Sequence, residues 1–463
     1  MNLIQEKIPY KTARLSSTRV ITLGFLAAIF VGALFLLLPF ATAPGEETDF
    51  LTALFTATTS ICVTGLVVVD TYSHWSLFGQ ILILILVQIG GFGVITLYSM
   101  GMLALKKRFT LRTRMLIMDY YNLDSIEGLI RFMIRVIRGT LMIEGLGAVL
   151  YAFVFIPQFG FARGLWISIF NAVSAFCNAG MDVIGPSSLI PYRTDLPVNL
   201  ITIFLIVMGG LGYVVWFDCA STLRNGIRKK YRPLTIWKRL SEQTRLVLWL
   251  TLFFLLSGTV LVAIFEWNNP ATIGNLRSGE KLLVSFFQSV TFRTAGFATV
   301  PQEALTNQTV IAGCLYMLIG GSPVGTAGGI KTVTFFVVVL NVISFIRDRE
   351  ETVVFGRSVS PKLVNKATAI LTFNVGLTLI LILALMQTGD ISASSAAYEM
   401  FSATGTVGLS RGLTSSLNTA GRILVMIGMY AGRIGPISMA LFFSTARPEQ
   451  NNIKHATGHF IVG

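Results

Sequence analysis

Four short turns that end in glycine recur along the chain and carry its clearest chemical signal. Their key glycines, Gly65, Gly180, Gly296 and Gly408, lie 115, 116 and 112 residues apart. A turn of small residues ending in glycine can direct successive carbonyl oxygens to one side, because glycine accepts backbone angles that a Cβ forbids. Rings of carbonyl oxygens replace the hydration shell of a monovalent cation. The spacing therefore predicts four equivalent carbonyl-bearing segments around one axis.

The residues of this predicted cation filter form four runs. They are Cys62, Val63, Thr64 and Gly65; Cys177, Asn178, Ala179 and Gly180; Arg293, Thr294, Ala295 and Gly296; and Thr406, Val407 and Gly408. The alternative, that the glycines only permit close helix packing, fits poorly, because the turns follow segments too short to span a membrane. Arg293 is expected to brace the filter backbone, since a bare cation on the axis would repel the ion.

A second glycine set trails the first by 25, 29, 24 and 24 residues. It comprises Gly90, Gly91 and Gly93; Gly209, Gly210 and Gly212; Gly320 and Gly321; and Gly432 and Gly435. For the first two groups, helix packing and pore lining both remain open as roles.

The third copy of this set is extended into a run that cannot stay helical. Five glycines and a proline lie between positions 320 and 331, and in a helix each glycine costs about 1 kcal/mol and the proline about 3 kcal/mol. The run predicts an intramembrane gating loop below the filter, with a packing kink as the alternative. The assigned gating residues are Gly320, Gly321, Ser322, Pro323, Gly325, Thr326, Gly328, Gly329, Lys331 and Arg433.

Three ionisable residues fall within apolar segments, where charge is costly and needs a partner or a cavity. Arg433 adjoins the last glycines and is predicted to face the cavity as a barrier coupled to the loop. Lys331 is expected either to face the cavity in the same way or to reach toward a lipid or cytoplasmic interface. Glu144 is interpreted as a buried hydrogen-bond partner, with a place in an ion path as the alternative.

The composition of the chain indicates that a lipid bilayer surrounds these segments. The chain of 463 residues is 53% hydrophobic and 13% charged, whereas soluble domains carry about 25% charged residues. Several apolar runs approach the roughly 20 residues needed to cross a bilayer. The sequence predicts a multi-pass protein of the cell membrane, surrounded by lipid. Although an apparent signal-peptide cleavage site follows the first run, that run is expected to be retained.

The basic residues indicate the orientation. The net charge is +14, and 27 of the 36 lysines and arginines fall in five patches at the termini and between hydrophobic hairpins. Because basic loops stay on the cytoplasmic side, both termini are predicted to be cytoplasmic and the glycine turns to face outward. This distribution argues against a nucleic-acid partner.

Each repeat is predicted to contain a long helix, a short re-entrant helix, the glycine turn and a second long helix. The long first helices are expected at 20–38, 128–156, 243–265 and 364–387, with Pro39 and Pro157 ending two of them. The second helices are expected at about 76–104, 196–222, 308–346 and 418–445. The chain is predicted to divide into a cytoplasmic N-terminal segment (1–19), repeat 1 (20–105), repeat 2 (106–223), repeat 3 with the broken helix (224–347), repeat 4 (348–445) and a cytoplasmic C-terminal segment (446–463).

The fold class is therefore all-α and polytopic, with four parallel repeats around a central pseudo-fourfold pore. An ion-coupled carrier of small organic molecules would instead require midplane side chains and inverted repeats. A membrane enzyme would require clustered His, Asp and Glu, which the sequence lacks.

The motifs resemble the K⁺-translocating membrane subunits of the Trk/Ktr/HKT superfamily, and most of all the Ktr type (KtrB), over essentially the whole chain. They read Thr-Gly-Leu at 64–66, Gln-Ile-Gly-Gly at 88–91, Phe-Arg-Thr-Ala-Gly-Phe at 292–297, Phe-Ser-Ala-Thr-Gly-Thr-Val-Gly-Leu at 401–409 and Tyr-Ala-Gly-Arg-Ile-Gly-Pro at 430–436. The resemblance implies K⁺ uptake, selected by one glycine per repeat and gated by the loop. The second run, 177–180, departs most from a K⁺-channel pattern, so a Na⁺/K⁺ cotransporter or a less selective channel is the alternative.

The resemblance also implies partners. It predicts a homodimer regulated by a cytosolic ring of KtrA-type subunits, which would bind ATP or ADP in place of this chain. K⁺ would be the transported ion and Na⁺ a possible activator, with no covalent cofactor. Neither the dimer nor a Na⁺ site can be read from the residues themselves.

Overall fold

The computed structural model describes residues 17–93, 128–349 and 351–435, together with six isolated positions, 96, 102, 114, 115, 117 and 118. The predicted cytoplasmic terminus 446–463, most of 1–19 and most of the first basic linker lie outside the described residues. So does the expected continuation of the first repeat's second helix beyond Gly93.

Helices make up most of the described part. Repeat 1 contains α1 (Ser17–Leu36), α2 (Phe50–Cys62), α3 (Thr71–His74) and α4 (Leu77–Phe92). Repeat 2 contains α5 (Leu129–Phe159), α6 (Phe161–Cys177), α7 (Leu196–Leu211) and α8 (Tyr213–Arg228), which runs into the start of repeat 3. Repeat 3 contains α9 (Pro233–Arg239), α10 (Glu242–Glu266), α11 (Ser278–Thr291), α12 (Asn307–Leu318) and α13 (Thr332–Ile346). Repeat 4 contains α14 (Pro361–Met386), α15 (Ala393–Gly405), α16 (Leu413–Ser416) and α17 (Thr419–Ile434). A two-stranded antiparallel hairpin, β1 (Val353–Val354) and β2 (Arg357–Ser358), joins the last two repeats.

Polar side chains fix where the short helices and the second helices begin. Asp49 caps α2 by accepting from the Thr52 amide at 3.1 Å, and Asp195 caps α7 by accepting from the Val198 amide at 2.9 Å. Such caps satisfy amide groups that have no partner within the helix. The four long first helices lie within three residues of their predicted bounds.

Two predicted features differ from the structure. Pro157 does not end α5, which continues to Phe159. Proline is tolerated there because it lies close to the end of the helix, where few backbone hydrogen bonds are lost. The predicted helix 196–222 is also wrong, because it breaks at Gly212 and α7 and α8 meet at 100°. A broken second helix is therefore not confined to repeat 3.

The core lies among the short helices, which we call the pore helices: α2, α6, α11 and α15. Each buries at least one large ring completely, as at Phe55, Phe170, Phe287 and Tyr398. The periphery is apolar and exposed instead, as at Phe153, which is 76% exposed, and Phe345, which is 83% exposed. Four described helices, α1, α5, α10 and α14, are long and apolar enough to span a membrane, and the bent α7–α8 pair would make a fifth span. Exposed apolar surface on this scale suits lipid contact.

Candidate ion pathway

All four glycine turns adopt the same unusual backbone. The residue two positions before each key glycine has a positive φ: 53° at Val63, 60° at Asn178, 68° at Thr294 and 51° at Thr406. The glycines follow with φ of 99° at Gly65, 65° at Gly180, 84° at Gly296 and 95° at Gly408. Residues other than glycine rarely adopt positive φ, and such outliers concentrate at functional sites. The recurrence of the pattern indicates a shared role for the turns.

The four turns meet around one axis. A Cβ added to Gly180 would lie 2.6 Å from the Gly296 Cα, and one added to Gly296 would lie 2.7 Å from the Val407 carbonyl oxygen. A Cβ on Gly408 would lie 2.9 Å from the Gly65 Cα, and one on Gly65 would meet the Ala179 carbonyl. Each glycine therefore faces the next repeat's turn, and the ring closes from the fourth repeat to the first. No side chain fits at these positions.

Hydroxyl groups in the last turns of the pore helices brace this ring. The Thr59 hydroxyl accepts from the Gly65 amide, and the Ser402 hydroxyl accepts from the Gly408 amide, both at 3.0 Å. In the other two repeats, Ser174 accepts from the Met181 amide at 3.1 Å and Thr291 donates to the Phe297 carbonyl at 2.7 Å. None of these four hydroxyl residues is among the predicted site residues. The signal was a Ser or Thr six residues before the glycine in three repeats and five before it in the third.

Three side chains of the turns have buried oxygens without a partner in the described structure. These are the hydroxyls of Thr64, Thr294 and Thr406. A buried polar group without a hydrogen bond is costly, and hydroxyl or carbonyl oxygens are the ligands that suit a monovalent cation. The donor set at this ring therefore fits a cation in transit.

The second turn is held differently from the others. With the Asn178 amide assigned the orientation that satisfies its neighbours, its nitrogen donates to the carbonyls of Ala175, at 3.1 Å, and Ile206, at 3.3 Å. Behind it, the Gln88 amide donates to both Glu144 carboxylate oxygens, at 3.1 and 3.2 Å, and the Cys177 thiol lies 3.7 Å from Glu144 Oε1. Glu144 is thus a buried hydrogen-bond partner in this structure, as the first of its two interpretations predicts.

Arg293 does not brace the third turn as expected. Its side chain has no hydrogen bond to any described residue, and its Nε is buried without a partner. The guanidinium carbon instead lies 5.8 Å from the centre of the Phe254 ring in α10. Helix α11 ends at Thr291, two residues before Arg293. Because the Arg293 side chain packs against Phe254 of α10, it lies on the outer side of the turn, away from the axis.

The glycine-rich run of repeat 3 forms a loop directly beneath the ring. Helix α12 ends at Leu318 and α13 begins at Thr332. The Thr326 hydroxyl donates to the Phe176 carbonyl at 3.1 Å, and a Cβ on Gly328 would collide with the Thr406 hydroxyl. The loop therefore contacts the lower ends of the second and fourth turns. We call residues 319–331 the intramembrane loop.

Two cations hold the intramembrane loop. The Arg433 guanidinium donates to the carbonyls of Thr326 in the loop and Gly90 in α4. Lys331 Nζ donates to the Ala327 carbonyl at 2.6 Å. Both cations line a cavity of about 230 Å³ below the loop. Lys331 thus faces the cavity, as the first of its two alternatives predicts.

The second glycine set packs and also ends helices. Gly90, Gly209 and Gly432 each abut a carbonyl oxygen near the end of a pore helix, at Ile61, Phe176 and Thr404 respectively. The helices α4, α7 and α17 then end at Gly93, Gly212 and Gly435, with φ of 82°, 89° and 91°. Close approach of backbones explains the first glycine of each group, and the positive φ explains the last.

A second cavity, of about 160 Å³, opens on the opposite side of the ring, and all four key glycines line it. Asp70 and Asp182 contribute the carboxyl groups of this outer vestibule. Burial raises the pKa of Asp182 to about 6, against lowering by its hydrogen bonds with Ser188 and with the Ile184 amide. Carboxylates at a pore mouth raise the local concentration of cations.

Comparisons with known proteins place this architecture in a family. The family model described as "TrkH: Cation transport protein" matches residues 21–455. The Ktr system potassium uptake protein B of Bacillus subtilis is 36% identical over 463 residues, covering 100% of both chains. The potassium/sodium uptake protein NtpJ of Enterococcus hirae is 35% identical over 444 residues, 95% of each chain.

A solved structure has the same fold. The crystal structure of the potassium transporter TrkH from Vibrio parahaemolyticus matches with a TM-score of 0.73 at 17% identity, covering 95% of this chain and 87% of that one. This likeness confirms the predicted fold class, a helical membrane protein with four repeats around a pore. The closed ring of four glycine turns and the match of one family model to nearly the whole chain lead to one conclusion: this protein belongs to the TrkH family of cation transport proteins and is a transporter, not an enzyme.

Proposed function

We propose that this chain is the K⁺-translocating subunit of an uptake system and conducts K⁺ through the glycine ring. The observation that carries the proposal is the ring itself: four turns with alternating positive φ, each braced by a hydroxyl and each facing the next. Backbone carbonyls held in this way can replace the hydration shell of K⁺. The names of two relatives, which denote potassium and potassium/sodium uptake, support K⁺ as the ion.

The pore helices support the choice of a cation. Helices α2, α6 and α15 end within three residues of a key glycine and α11 within five, so their C-terminal ends point at the ring. The partial negative charge of a helix C-terminus stabilises a cation nearby. The filter is therefore assigned to the four runs that end at Gly65, Gly180, Gly296 and Gly408.

The intramembrane loop is assigned as the gate. It lies between the ring and the inner cavity and is held by Arg433 and Lys331, both cations. Fixed positive charges on the exit side of a cation pore oppose conduction. In our proposal, K⁺ passes only after the loop and these cations have moved from beneath the ring.

Na⁺ involvement is the second candidate function, and the second turn favours it. Asn178 occupies that turn with its amide bonded to Ala175 and Ile206, so the four turns are unequal. One relative is also named a potassium/sodium uptake protein. A pore with one dissimilar quarter would discriminate less strictly between K⁺ and Na⁺ than a symmetric channel.

Regulation by a partner completes the proposal. The words "Ktr system" in the name of the Bacillus subtilis relative support a system of more than one component. The cytoplasmic basic linkers, including the exposed residues near Arg228 and Lys229, provide a docking face for a cytosolic ring of nucleotide-binding subunits. We expect a homodimer to dock on such a ring, with ATP or ADP bound by the ring and Na⁺ as a possible activator.

The filter assignment is tested with Gly296→Ser. We expect K⁺ uptake in a K⁺-transport-deficient host to lose its preference over Na⁺ by about tenfold, roughly 1.4 kcal/mol, because the Cβ displaces the Val407 carbonyl. The control is Gly376→Ser in α14, where a Cβ meets nothing within 4 Å. An unchanged K⁺ affinity and K⁺/Na⁺ preference in folded Gly296→Ser protein would refute the assignment. Flux of both ions into vesicles with purified protein distinguishes the two candidate functions.

A further inference from the structure

A narrow cavity lies behind the third glycine turn, on the side of α10. Its volume is about 20 Å³, and it is enclosed by α7, α10, α11 and the start of the intramembrane loop. Apolar groups form most of its wall, including Ile206, Leu255 and Val290. Two polar side chains, Thr251 and Arg293, complete it.

Both polar side chains present buried atoms without a partner. Arg293 is 9% exposed and Thr251 is 8% exposed, and neither Arg293 Nε nor the Thr251 hydroxyl has a hydrogen bond in the described structure. Most buried polar atoms in proteins are paired, so each such exception requires an explanation. Here two exceptions line the same cavity.

The charge of Arg293 is also uncompensated. Among the described residues the salt bridges join His74 to Glu46 and Arg357 to Glu242, and neither involves Arg293. The cavity wall contains no Asp or Glu. An isolated charge at membrane depth is strongly disfavoured, and the Phe254 ring face at 5.8 Å supplies only a weak cation–π attraction.

We propose that this cavity is a binding site for one small monovalent anion of halide size, such as chloride. The anion would pair with the Arg293 guanidinium and accept a hydrogen bond from the Thr251 hydroxyl. A cavity that holds a single water-sized group has room for one such ion and excludes a larger carboxylate or sugar acid. A bound water would satisfy the hydrogen bonds but would leave the charge in place.

The anion would matter for conduction because Arg293 directly precedes the filter residues Thr294, Ala295 and Gly296. Neutralising the guanidinium removes a repulsive field from the third quarter of the ring. K⁺ flux should therefore be faster with a halide present than with a large organic anion. This consequence rests on the proposed K⁺ function, whereas the binding itself does not.

The binding test uses bromide. Crystals of the full chain are soaked in bromide, and diffraction data are collected at the bromine absorption edge. We expect an anomalous peak within hydrogen-bonding distance of Arg293 and Thr251. The peak should vanish in Arg293→Gln and weaken in Thr251→Val, which keeps the side-chain shape. It should persist in Arg422→Gln, a control at the outer end of α17. Absence of the peak in the wild type, or its retention in Arg293→Gln, overturns the proposal.

A flux assay provides the second readout. In vesicles, K⁺ flux with chloride or bromide should exceed flux with gluconate by about fivefold, and Arg293→Gln should abolish that difference. Equal wild-type flux in all three salts contradicts the proposed effect on conduction. A bromide peak in a protein that does not move K⁺ would refute only the proposed function. K⁺ uptake without the peak would refute only the anion site.

Discussion

At the scale of single residues, the structure separates side chains that face the pathway from those that support it. The filter glycines are defined by backbone angles and by the absence of a Cβ. Thr59 and Ser402, by contrast, act through a hydroxyl bonded to a filter amide. Asp182 contributes a charge at the outer vestibule. Each role predicts a different experimental signature.

Removal of one supporting hydroxyl should loosen the filter. Ser402→Ala leaves the buried Gly408 amide without its acceptor, at a cost of about 1–3 kcal/mol. We expect reduced K⁺/Na⁺ preference in vesicle flux, with a modest fall in melting temperature. Ser415→Ala, an exposed site on α16, is the matched control. If Ser402→Ala melts earlier but keeps full preference, the hydroxyl stabilises the fold without shaping the filter.

The charge of Asp182 should make uptake depend on external pH. Because the pKa of Asp182 is raised to about 6, the carboxyl is ionised above that pH and attracts cations, and it is neutral below. We expect the rate of K⁺ uptake to fall as external pH is lowered from about 7.5 to about 5, through this pKa. Asp182→Asn should be slower at pH 7.5 and lose this titration.

The control for the pH experiment is Asp390→Asn, which removes an exposed carboxyl that does not line the vestibule. Its pH profile should match that of the wild type. A wild-type profile that persists unchanged in Asp182→Asn would assign the titration to another group.

At the level of elements, two breaks in helices bear on the proposed gate. The second helices of repeats 2 and 3 both break, one at a single glycine with a 100° bend and the other over 319–331. Only the second break is long enough to reach across beneath the ring. The Thr326 hydroxyl donates to the Phe176 carbonyl, and Gly328 abuts the Thr406 hydroxyl. The loop therefore lies against the second and fourth turns. These contacts link the intramembrane loop, which is the proposed gate, to the glycine ring.

Weakening that coupling should open the pathway. Deletion of 322–328 should raise K⁺ flux, and the milder Thr326→Val should raise basal flux about fivefold, roughly 1 kcal/mol, because it removes the bond to the Phe176 carbonyl while preserving shape. Thr368→Val in α14, whose hydroxyl bonds only its own helix, is the control. Unchanged flux in both loop variants would show that the loop is not the barrier.

At the scale of the whole molecule, four parallel repeats build one pathway with an outer vestibule and an inner cavity at opposite ends. The apolar periphery and the four long helices suit a bilayer. The positions of the basic linkers predict which cavity faces the cytoplasm. The orientation is open to a direct labelling experiment.

Two exposed serines report the orientation. Ser187→Cys lies on the vestibule side and Ser358→Cys lies in the hairpin between repeats 3 and 4. In a Cys219→Ser background, which removes the one native cysteine that is not buried, a membrane-impermeant maleimide should label only Ser187→Cys in intact cells. Both should react after lysis. Labelling of Ser358→Cys in intact cells would reverse the predicted topology.

The membrane class, the four repeats, the positions of the turn glycines and the run of glycines that breaks the helix after the third turn can all be predicted from the amino-acid sequence. These follow from composition, periodicity and backbone preferences, which are local properties of the chain. The break at Gly212 was missed because a single glycine in an apolar run is usually tolerated within a helix.

Which residues act together depends instead on how the helices pack. Some of these features join residues far apart in the chain, as in the closed ring and the contact between Glu144 and Cys177. Others depend on the orientation of one side chain, as in the hydroxyl braces and the direction of Arg293. Arg293 was expected to brace its own turn, yet it lies over Phe254 beside Thr251. The packing of α7, α10 and α11 determines that direction, because a buried guanidinium can occupy only the space between neighbouring helices. That space cannot be predicted from the residues adjacent to Arg293 in the sequence.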